Sequence, residues 1–440
     1  MTSEPGRRRA LALLLSLNLL CYLDRYILAA VEPQIRAEFF AANDPDAMAK
    51  TGLLATAFLV SYMVLAPLFG WLADRFSRWV IIAFGVTVWS LATLGSGWAT
   101  TFGLLVLARI FVGAGEAAYG PASPTILADL FSIQKRGIVL AWFFAAIPVG
   151  SALGYIFGGV VAGWHGWRAP FHYAFFPGLI LAGLCLFFKD PRPVRPAAYR
   201  HAGFSDYAAL LRIPSFVFNI GAQTAMTFAI GGMSFWAPAY FHGTRGQPDL
   251  AQINLIFGGI TAVAGLTATL FGGWLGDRLR ECIPGAYLVV SAGGMLVAFP
   301  CTLAMLFAPF PLAWVLCFFA IFFLFMNIGP ANTAIANVTS PAVRSTAFAL
   351  NIFVIHALGD AISPPLIGAI ADRSSLTAGF VVVSMAMLVA GLLAGPGTAS
   401  AAPVTRDQAV NLVIARGLAQ RGVPHAWGGG TITGPSAGSG

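Results

Sequence analysis

Long apolar runs constrain the fold of this chain more than any other feature of its sequence. A helix that crosses a bilayer needs about 20 mostly apolar residues. The first six runs of that kind are residues 10–38, 50–73, 79–99, 102–128, 136–163 and 170–188. Six more follow at residues 215–241, 250–275, 285–308, 311–338, 346–370 and 376–395. Their apolar residues are continuous rather than alternating, which excludes a porin-like barrel and predicts an all-α membrane protein with twelve spans.

The composition excludes the main classes of soluble protein. Hydrophobic residues make up 58% of the chain and charged residues only 10%, whereas about a quarter of a soluble domain is charged. A soluble enzyme and a nucleic-acid binder are therefore excluded, despite a net charge of +8. The five cysteines show no paired spacing, so we expect no disulfide framework and no metal site. We expect no cofactor either.

One long polar segment, residues 189–212, divides the spans into six and six. We predict an N-terminal half at 1–188, a linker at 189–212, a C-terminal half at 213–395 and a flexible tail at 396–440. Most of the 25 Lys and Arg residues lie on the side that holds the linker and both termini. By the positive-inside rule this side is cytoplasmic. The expected location is a bacterial inner membrane.

A short charged motif occurs once in each half, after the second and the eighth span. The first copy is Gly70-Trp-Leu-Ala-Asp74-Arg75, and the second is Gly273-Trp-Leu-Gly-Asp277-Arg278. Two similar halves with both copies on one side of the membrane indicate parallel repeats related by an axis along the membrane normal.

Twelve spans, the six-and-six division and the duplicated motif resemble the major facilitator superfamily. The resemblance implies two pseudo-symmetric six-helix halves. In the motif, Asp and Arg can pair with helix termini and with charges across the interface between the halves. We therefore expect a conformational latch, meaning ion pairs that form in one conformation and break in another. Its predicted members are Asp74, Arg75, Asp129, Asp277 and Arg278. Solvated loop charges are the alternative.

Charged residues also lie inside the predicted spans, where each costs at least about 2.5–3.5 kcal/mol on insertion scales. Span 1 carries Asp24 and Arg25, and span 4 carries Arg109 and Glu116 on one helical face. Adjacent side chains on a helix cannot point the same way, so each charge in span 1 needs a partner from another span. We expect the pairs Arg25–Glu116 and Asp24–Arg109. Inert pairing is the alternative to a transport role.

Burial favours the neutral form of a carboxyl group, and a neighbouring arginine favours its charged form. A carboxylate whose arginine moves away can therefore exchange a proton, which makes Asp24 and Glu116 the candidates for proton coupling. An arginine that loses its carboxylate is free to hold an anionic headgroup. Arg109 is the candidate best placed for that role.

Several segments resemble the spinster family in particular. Span 1 reads Asn18-Leu-Leu-Cys-Tyr-Leu-Asp-Arg-Tyr26, and span 4 continues from Arg109 through GEAAYGPASPTILADLF. Span 5 contains IPVGSALGY, ending at Tyr155, and span 11 contains HALGDAISPPLIG, starting at His356. The resemblance implies a carrier of lysolipids or sphingoid phosphates that is coupled to or modulated by protons. Matched position by position, it implicates Asp24, Arg25, Arg109, Glu116, Tyr155 and His356. For His356, a helix–helix hydrogen bond is the alternative.

The C-terminal half adds apolar candidates for a substrate tail. Spans 7 and 10 are dense in aromatic residues and Met, and in this superfamily they line the cavity, so Phe228, Trp236 and Asn327 are predicted to contact substrate. Packing or lipid exposure is the alternative for most of the aromatics. Charges in one half and apolar surface in the other fit a substrate with a headgroup and a tail better than a sugar.

Three other functions compete with a lipid-type carrier. A proton-coupled symporter of small organic anions shares the Tyr-x-Asp-Arg start of span 1, but would have a more polar C-terminal half. A membrane enzyme is not expected, because the spans contain no HExxH, GxGD or rhomboid-type GxSG motif. A receptor on the same scaffold is the third. The expected partners are an amphipathic substrate, protons and the bilayer, with the protein as a monomer.

Overall fold

A computed structural model describes residues 4–191, 210–283, 285–339 and 344–395. The predicted tail at 396–440 and most of the predicted linker lie outside these ranges. Every one of the twelve predicted spans falls on helix within them. The numbering of spans 1 to 12 is kept below.

Among the described residues, the N-terminal half contains seven helices. Spans 1 to 3 are Glu4–Phe39, Ala47–Arg75 and Arg78–Trp98. Span 4 comprises Phe102–Tyr119 and Ala122–Leu130, separated at Gly120-Pro121. Spans 5 and 6 are Ile133–His165 and Ala169–Cys185.

The C-terminal half has more interruptions in its spans. Span 7 is Pro214–Ala239 and ends in a π-helical turn at Tyr240–Thr244, and spans 8 and 9 are Leu250–Leu279 and Ala286–Phe307. Span 10 comprises Leu312–Met326 and Ile328–Val338. Span 11 comprises Arg344–Ile355, a π-helical turn at His356–Asp360, and Ser363–Arg373. Span 12 is Leu376–Leu393.

Length and composition agree with a membrane location for most of these helices. Ten helices among the described residues, in spans 1 to 5 and 8 to 12, are long and apolar enough to cross a bilayer. Span 6 is a shorter apolar helix of 17 residues. Many large apolar side chains are exposed on the outside of the bundle, including Trp142, Trp164 and Leu270. A bilayer solvates such a surface, whereas water would not.

The packing of the first half is repeated in the second. Span 1 packs against spans 5 and 6, as span 7 packs against spans 11 and 12. Span 2 packs against span 4 and span 3 against span 6, as span 8 packs against span 10 and span 9 against span 12. The pairs in the two halves differ by six spans throughout, which is the pseudo-symmetry of the major facilitator fold.

The two halves meet through spans 5 and 8 and through spans 2 and 11. A side chain added at Gly258 of span 8 would come within 2.8 Å of the Ala152 carbonyl of span 5. Near the end of the bundle away from the N terminus, the Asp372 carboxylate accepts hydrogen bonds from the backbone N–H groups of Met48 and Ala49. The halves are therefore in close contact on the side where span 2 begins and span 11 ends.

Candidate functional site

Span 1 and span 4 bring two ion pairs together inside the N-terminal half. The Arg25 guanidinium contacts Glu116 Oε2 at 2.6 Å through Nη2 and 2.7 Å through Nε. The same oxygen accepts a hydrogen bond of 3.1 Å from the thiol of Cys21. The expected Arg25–Glu116 pair is present, and the sequence analysis missed Cys21, which it treated as an apolar residue.

The second expected pair, Asp24–Arg109, is present but loose. Nη1 of Arg109 lies 3.8 Å from Asp24 Oδ2, beyond hydrogen-bond length, while that oxygen accepts a 2.9 Å hydrogen bond from Thr93. Both residues are 1% exposed. Within the described residues, Asp24 Oδ1 and the Nε and Nη1 atoms of Arg109 have no hydrogen-bond partner. Buried polar groups are normally paired, so this arginine has capacity for another anion.

An aromatic ring from span 2 lies beside both arginines. The centroid of the Phe58 ring is 4.7 Å from the Arg25 guanidinium carbon and 5.2 Å from that of Arg109. Tyr22 and Tyr62 also face Arg25, at 4.9 and 5.5 Å. Cation–π contacts stabilise a guanidinium without neutralising it. No charge pattern marks Phe58 in the sequence, and only packing shows it to be part of the cluster.

Tyr155 of span 5 lies at the junction of the two halves. Its hydroxyl donates a 2.6 Å hydrogen bond to the Ser234 carbonyl of span 7, and its ring packs between Tyr26 and Phe257 at 5.1 and 4.9 Å. The residue is 1% exposed. In this conformation the Tyr155 hydroxyl therefore links the halves, and its predicted contact with substrate stays a prediction.

His356 pairs with a carboxylate on its own span. Nδ1 lies 3.0 Å from both carboxylate oxygens of Asp360, within the π-helical turn of span 11. Such turns are frequently found at functional sites. The π-helical turn packs against span 2 of the N-terminal half, where the Thr56 hydroxyl donates a 2.6 Å hydrogen bond to the Ala361 carbonyl. The contact between His356 and Asp360 therefore lies beside the N-terminal half.

The apolar candidates of the C-terminal half lie in three different environments. Trp236 is fully buried and donates a 2.9 Å hydrogen bond to the Pro364 carbonyl, which joins spans 7 and 11. Asn327 is fully buried at the break in span 10, with its Nδ2 3.1 Å from the sulfur of Met226. Phe228 lines a groove formed by spans 7, 11 and 12. The structure does not bring these three residues together into one site.

Among the predicted latch residues, Asp129 pairs with an arginine outside the predicted set. Its ion pair, 2.7 Å long, is with Arg78. Arg78 also contacts Asp190 at 2.5 Å and is almost fully buried. Arg75 instead lies over the ring of Trp71 at 3.9 Å and donates to its carbonyl. Arg78 starts span 3, so its side chain can turn inward, whereas Arg75 is exposed.

The other latch residues lie on the surface. Asp74 and Arg278 are exposed. In the second copy of the motif, Asp277 accepts a 2.6 Å hydrogen bond from the Tyr287 hydroxyl of span 9. This contact lies within the C-terminal half. The predicted change of these pairs between conformations stays a prediction.

Comparison with known proteins identifies the superfamily of this chain. The family model of the Major Facilitator Superfamily matches residues 14–364. A solved bacterial homologue of the human lysosomal transporter spinster, in an inward-facing and unoccupied conformation, aligns with a TM-score of 0.78 at 19% identity over 90% of this chain and 98% of that one. A D-xylose–proton symporter aligns with a TM-score of 0.70, 19% identity and coverage of 88% and 96%. The chain belongs to the major facilitator superfamily.

Curated relatives then give the particular family. Protein spinster homolog 1 of Homo sapiens is 38% identical over 399 residues, covering 84% of this chain and 74% of the relative. Protein spinster homolog 3 of Danio rerio is 37% identical over 401 residues, with coverage of 85% and 79%. Protein spinster of Drosophila melanogaster is 37% identical over 84% of this chain and 63% of its own length. The protein is a transporter of the spinster family.

Proposed function

We propose that this spinster-type transporter moves a lipid-like amphipathic anion, of the lysophospholipid or sphingoid phosphate type, by proton-coupled alternating access. The observation that carries the proposal is the buried guanidinium of Arg109, whose Nε and Nη1 have no hydrogen-bond partner among the described residues, with Nη1 3.8 Å from Asp24. A phosphate or carboxylate headgroup supplies the missing acceptors. Charge-assisted hydrogen bonds of this kind are about twice as strong as neutral ones.

Competition for the arginines would couple substrate to protons. An anionic headgroup that binds Arg109 or Arg25 displaces Asp24 or Glu116 from it. A buried carboxylate without its cation is costly, so it takes up a proton. Release of the headgroup lets the carboxylate return and lose the proton. Asp24 and Glu116 are therefore the proposed proton-coupling residues, and Arg25 and Arg109 the proposed headgroup ligands.

Residues outside the charged cluster are proposed to contact the rest of the substrate. Tyr155, His356, Phe228, Trp236 and Asn327 are the proposed further substrate contacts, which become accessible as the halves rock. The distribution of Lys and Arg supports cytoplasmic termini, and the proposed location is a bacterial inner membrane. The protein is proposed to act as a monomer.

Uptake into proteoliposomes under an imposed pH gradient tests the proposal. A fluorescent lysolipid and a sphingoid phosphate are compared with a short-chain organic acid. We expect lipid movement that depends on the gradient. Movement of the small acid alone would contradict the lipid substrate and favour an organic-anion symporter, and lipid movement indifferent to the gradient would contradict proton coupling.

A further inference from the structure

An apolar groove runs along the outside of the C-terminal half, apart from the charged cluster. It is an open groove with a volume of about 650 Å³ between spans 7, 11 and 12, and ligand pockets usually have volumes of about 300–1,000 Å³. Each span contributes side chains from one helical face. Val217, Gly221 and Phe228 line it from span 7. Leu358 of span 11 and Val389 of span 12 border the opening and are 58% and 45% exposed.

The lining of the groove suits a hydrocarbon chain. Among the described lining residues, Thr224 supplies the one side-chain hydroxyl, which already donates a 2.8 Å hydrogen bond to the Ile220 carbonyl of its own helix. Gly221 and Ala225 are small residues one turn apart, so their side chains leave the groove deep at these positions. A side chain added at Gly221 would meet only the Leu393 side chain, at 3.4 Å. The groove thus has room for a ligand, and its described lining offers that ligand apolar contacts.

The length and position of the groove match one leaflet of a bilayer. From Val217 to Phe228 a helix rises about 16 Å, and half of a hydrocarbon core is about 15 Å. Span 7 begins at Pro214, on the side of the linker. The groove therefore runs from the membrane surface on that side to about the middle of the membrane.

A basic residue lies at the surface end of the groove. Leu211 lines this end, and the next residue, Arg212, is exposed. An exposed arginine at a membrane surface attracts anionic lipid, at about 1 kcal/mol per basic residue, and a guanidinium can hold a phosphate through two hydrogen bonds. An apolar groove as long as one leaflet, with a cation at its surface end, is complementary to an anionic phospholipid.

We propose that this groove binds one acyl chain of an anionic bilayer phospholipid whose phosphate is held by Arg212. The lipid is a resident ligand and not the cargo, because the groove lies on the outer face of the C-terminal half while the paired charges lie in the N-terminal half. Phe228 lines the groove in this conformation, whereas its proposed contact with substrate requires the halves to rock. Binding of a lipid in the groove does not depend on the proposed function, whereas the distinction between this lipid and the cargo rests on it.

Photo-crosslinking tests this site directly. The full chain is placed in phosphatidylcholine nanodiscs that contain a phosphatidylglycerol probe with a diazirine near the end of one acyl chain. We expect crosslinks concentrated on residues 225–228 and 382–386, at the end of the groove near the middle of the membrane. Crosslinks spread evenly over all spans would overturn the proposal.

Two variants with matched controls test the chain and the headgroup separately. Gly221→Leu fills the groove and is expected to lower the crosslinking yield about tenfold, given about 0.8 kcal/mol per buried methylene. Gly259→Leu adds the same side chain where an added Cβ meets nothing within 4 Å, and should leave the yield unchanged. Arg212→Gln should lower the crosslinking yield of the phosphatidylglycerol probe more than that of a phosphatidylcholine probe with the same chains. Unchanged yield in Gly221→Leu, or equal loss of both probes in Arg212→Gln, would refute the site.

Excess lysolipid distinguishes a resident lipid from the cargo. We expect it to leave the crosslinks in place, because the groove and the charged cluster are separate. Displacement of the probe by lysolipid would show that the groove belongs to the transport path and would overturn the assignment. Loss of transport with crosslinks retained would count against the proposed function alone.

Discussion

Arg109 and Asp24 face each other at 3.8 Å inside the N-terminal half, close enough to attract and too far apart for a hydrogen bond. Two neighbouring residues explain the gap: Thr93 holds the near oxygen of Asp24, and the Phe58 ring lies beside the guanidinium. The Arg25–Glu116 pair, by contrast, is closed at 2.6 Å. One pair is therefore tight and the other is open to a third partner, and this asymmetry underlies the first two predictions.

Neutral variants of the two carboxylates should remove proton coupling. Asp24→Asn and Glu116→Gln keep the shape of each side chain and eliminate its titration, so we expect uptake in proteoliposomes to lose its dependence on the pH gradient. Asp46→Asn, in the exposed turn before span 2, is the control and should behave as the wild type. Proton coupling that persists in both buried variants would remove these residues from the mechanism.

Removal of the Arg109 charge should discriminate between headgroups. Arg109→Gln is expected to lower the affinity for an anionic substrate about tenfold, the cost of one charge-assisted hydrogen bond. It should lower the affinity for a zwitterionic analogue much less. The variant also leaves Asp24 buried without a cation, which costs stability. The double variant Asp24→Asn/Arg109→Gln removes both charges and should unfold nearer the wild-type temperature. An equal loss for both substrates in the stable double variant would contradict a headgroup role.

Arg78, and not Arg75, should determine the stability of the N-terminal half near the latch motif. Arg78 bridges Asp129 and Asp190, so Arg78→Gln should destabilise the protein by about 1.5–3 kcal/mol, the usual contribution of hydrogen bonds between charged groups. The same substitution at Arg75 exchanges an exposed side chain and should stay within about 0.5 kcal/mol. Thermal unfolding in detergent compares the two. Equal effects would mean that the buried bridge contributes nothing specific.

Asp372 should hold the halves together on the side where span 2 begins and span 11 ends. Its carboxylate caps the start of span 2 with hydrogen bonds of 3.0 and 2.8 Å to Met48 and Ala49, and a cap of this kind contributes about 0.5–2 kcal/mol. We expect Asp372→Ala to shift the population toward conformations open on that side. Alkylation of a cysteine introduced at Thr56, whose hydroxyl contacts the Ala361 carbonyl across the halves, should then become faster.

A matched control makes the alkylation experiment specific. Asp249→Ala removes another helix cap, at the start of span 8, with its hydrogen bonds to Ala251 and Gln252. It loses a cap within one half and should leave alkylation unchanged. An alkylation rate that rises equally in both variants would indicate a general loosening of the structure. An unchanged rate in Asp372→Ala would show that the cap does not hold the halves together.

The sequence by itself determined the spans and the residues that form the charged cluster. A helix must pair its backbone polar groups internally in a bilayer, so twelve apolar runs become twelve spans whatever their tertiary contacts. An unpaired charge inside span 1 or span 4 has a high free energy in the bilayer, so each charge needs a partner of opposite sign. The pairs Arg25–Glu116 and Asp24–Arg109 follow.

Only the tertiary structure decided which neighbours complete the site and which predicted residues lie elsewhere. Phe58, Cys21 and Thr93 join the cluster through packing between spans, and residues of their types are common in any apolar helix. Arg78, which the sequence did not single out, is the partner of Asp129 because its side chain is buried, whereas that of Arg75 is exposed. Helical spacing gives the face that residues share, but the direction of that face depends on how the helices pack around it.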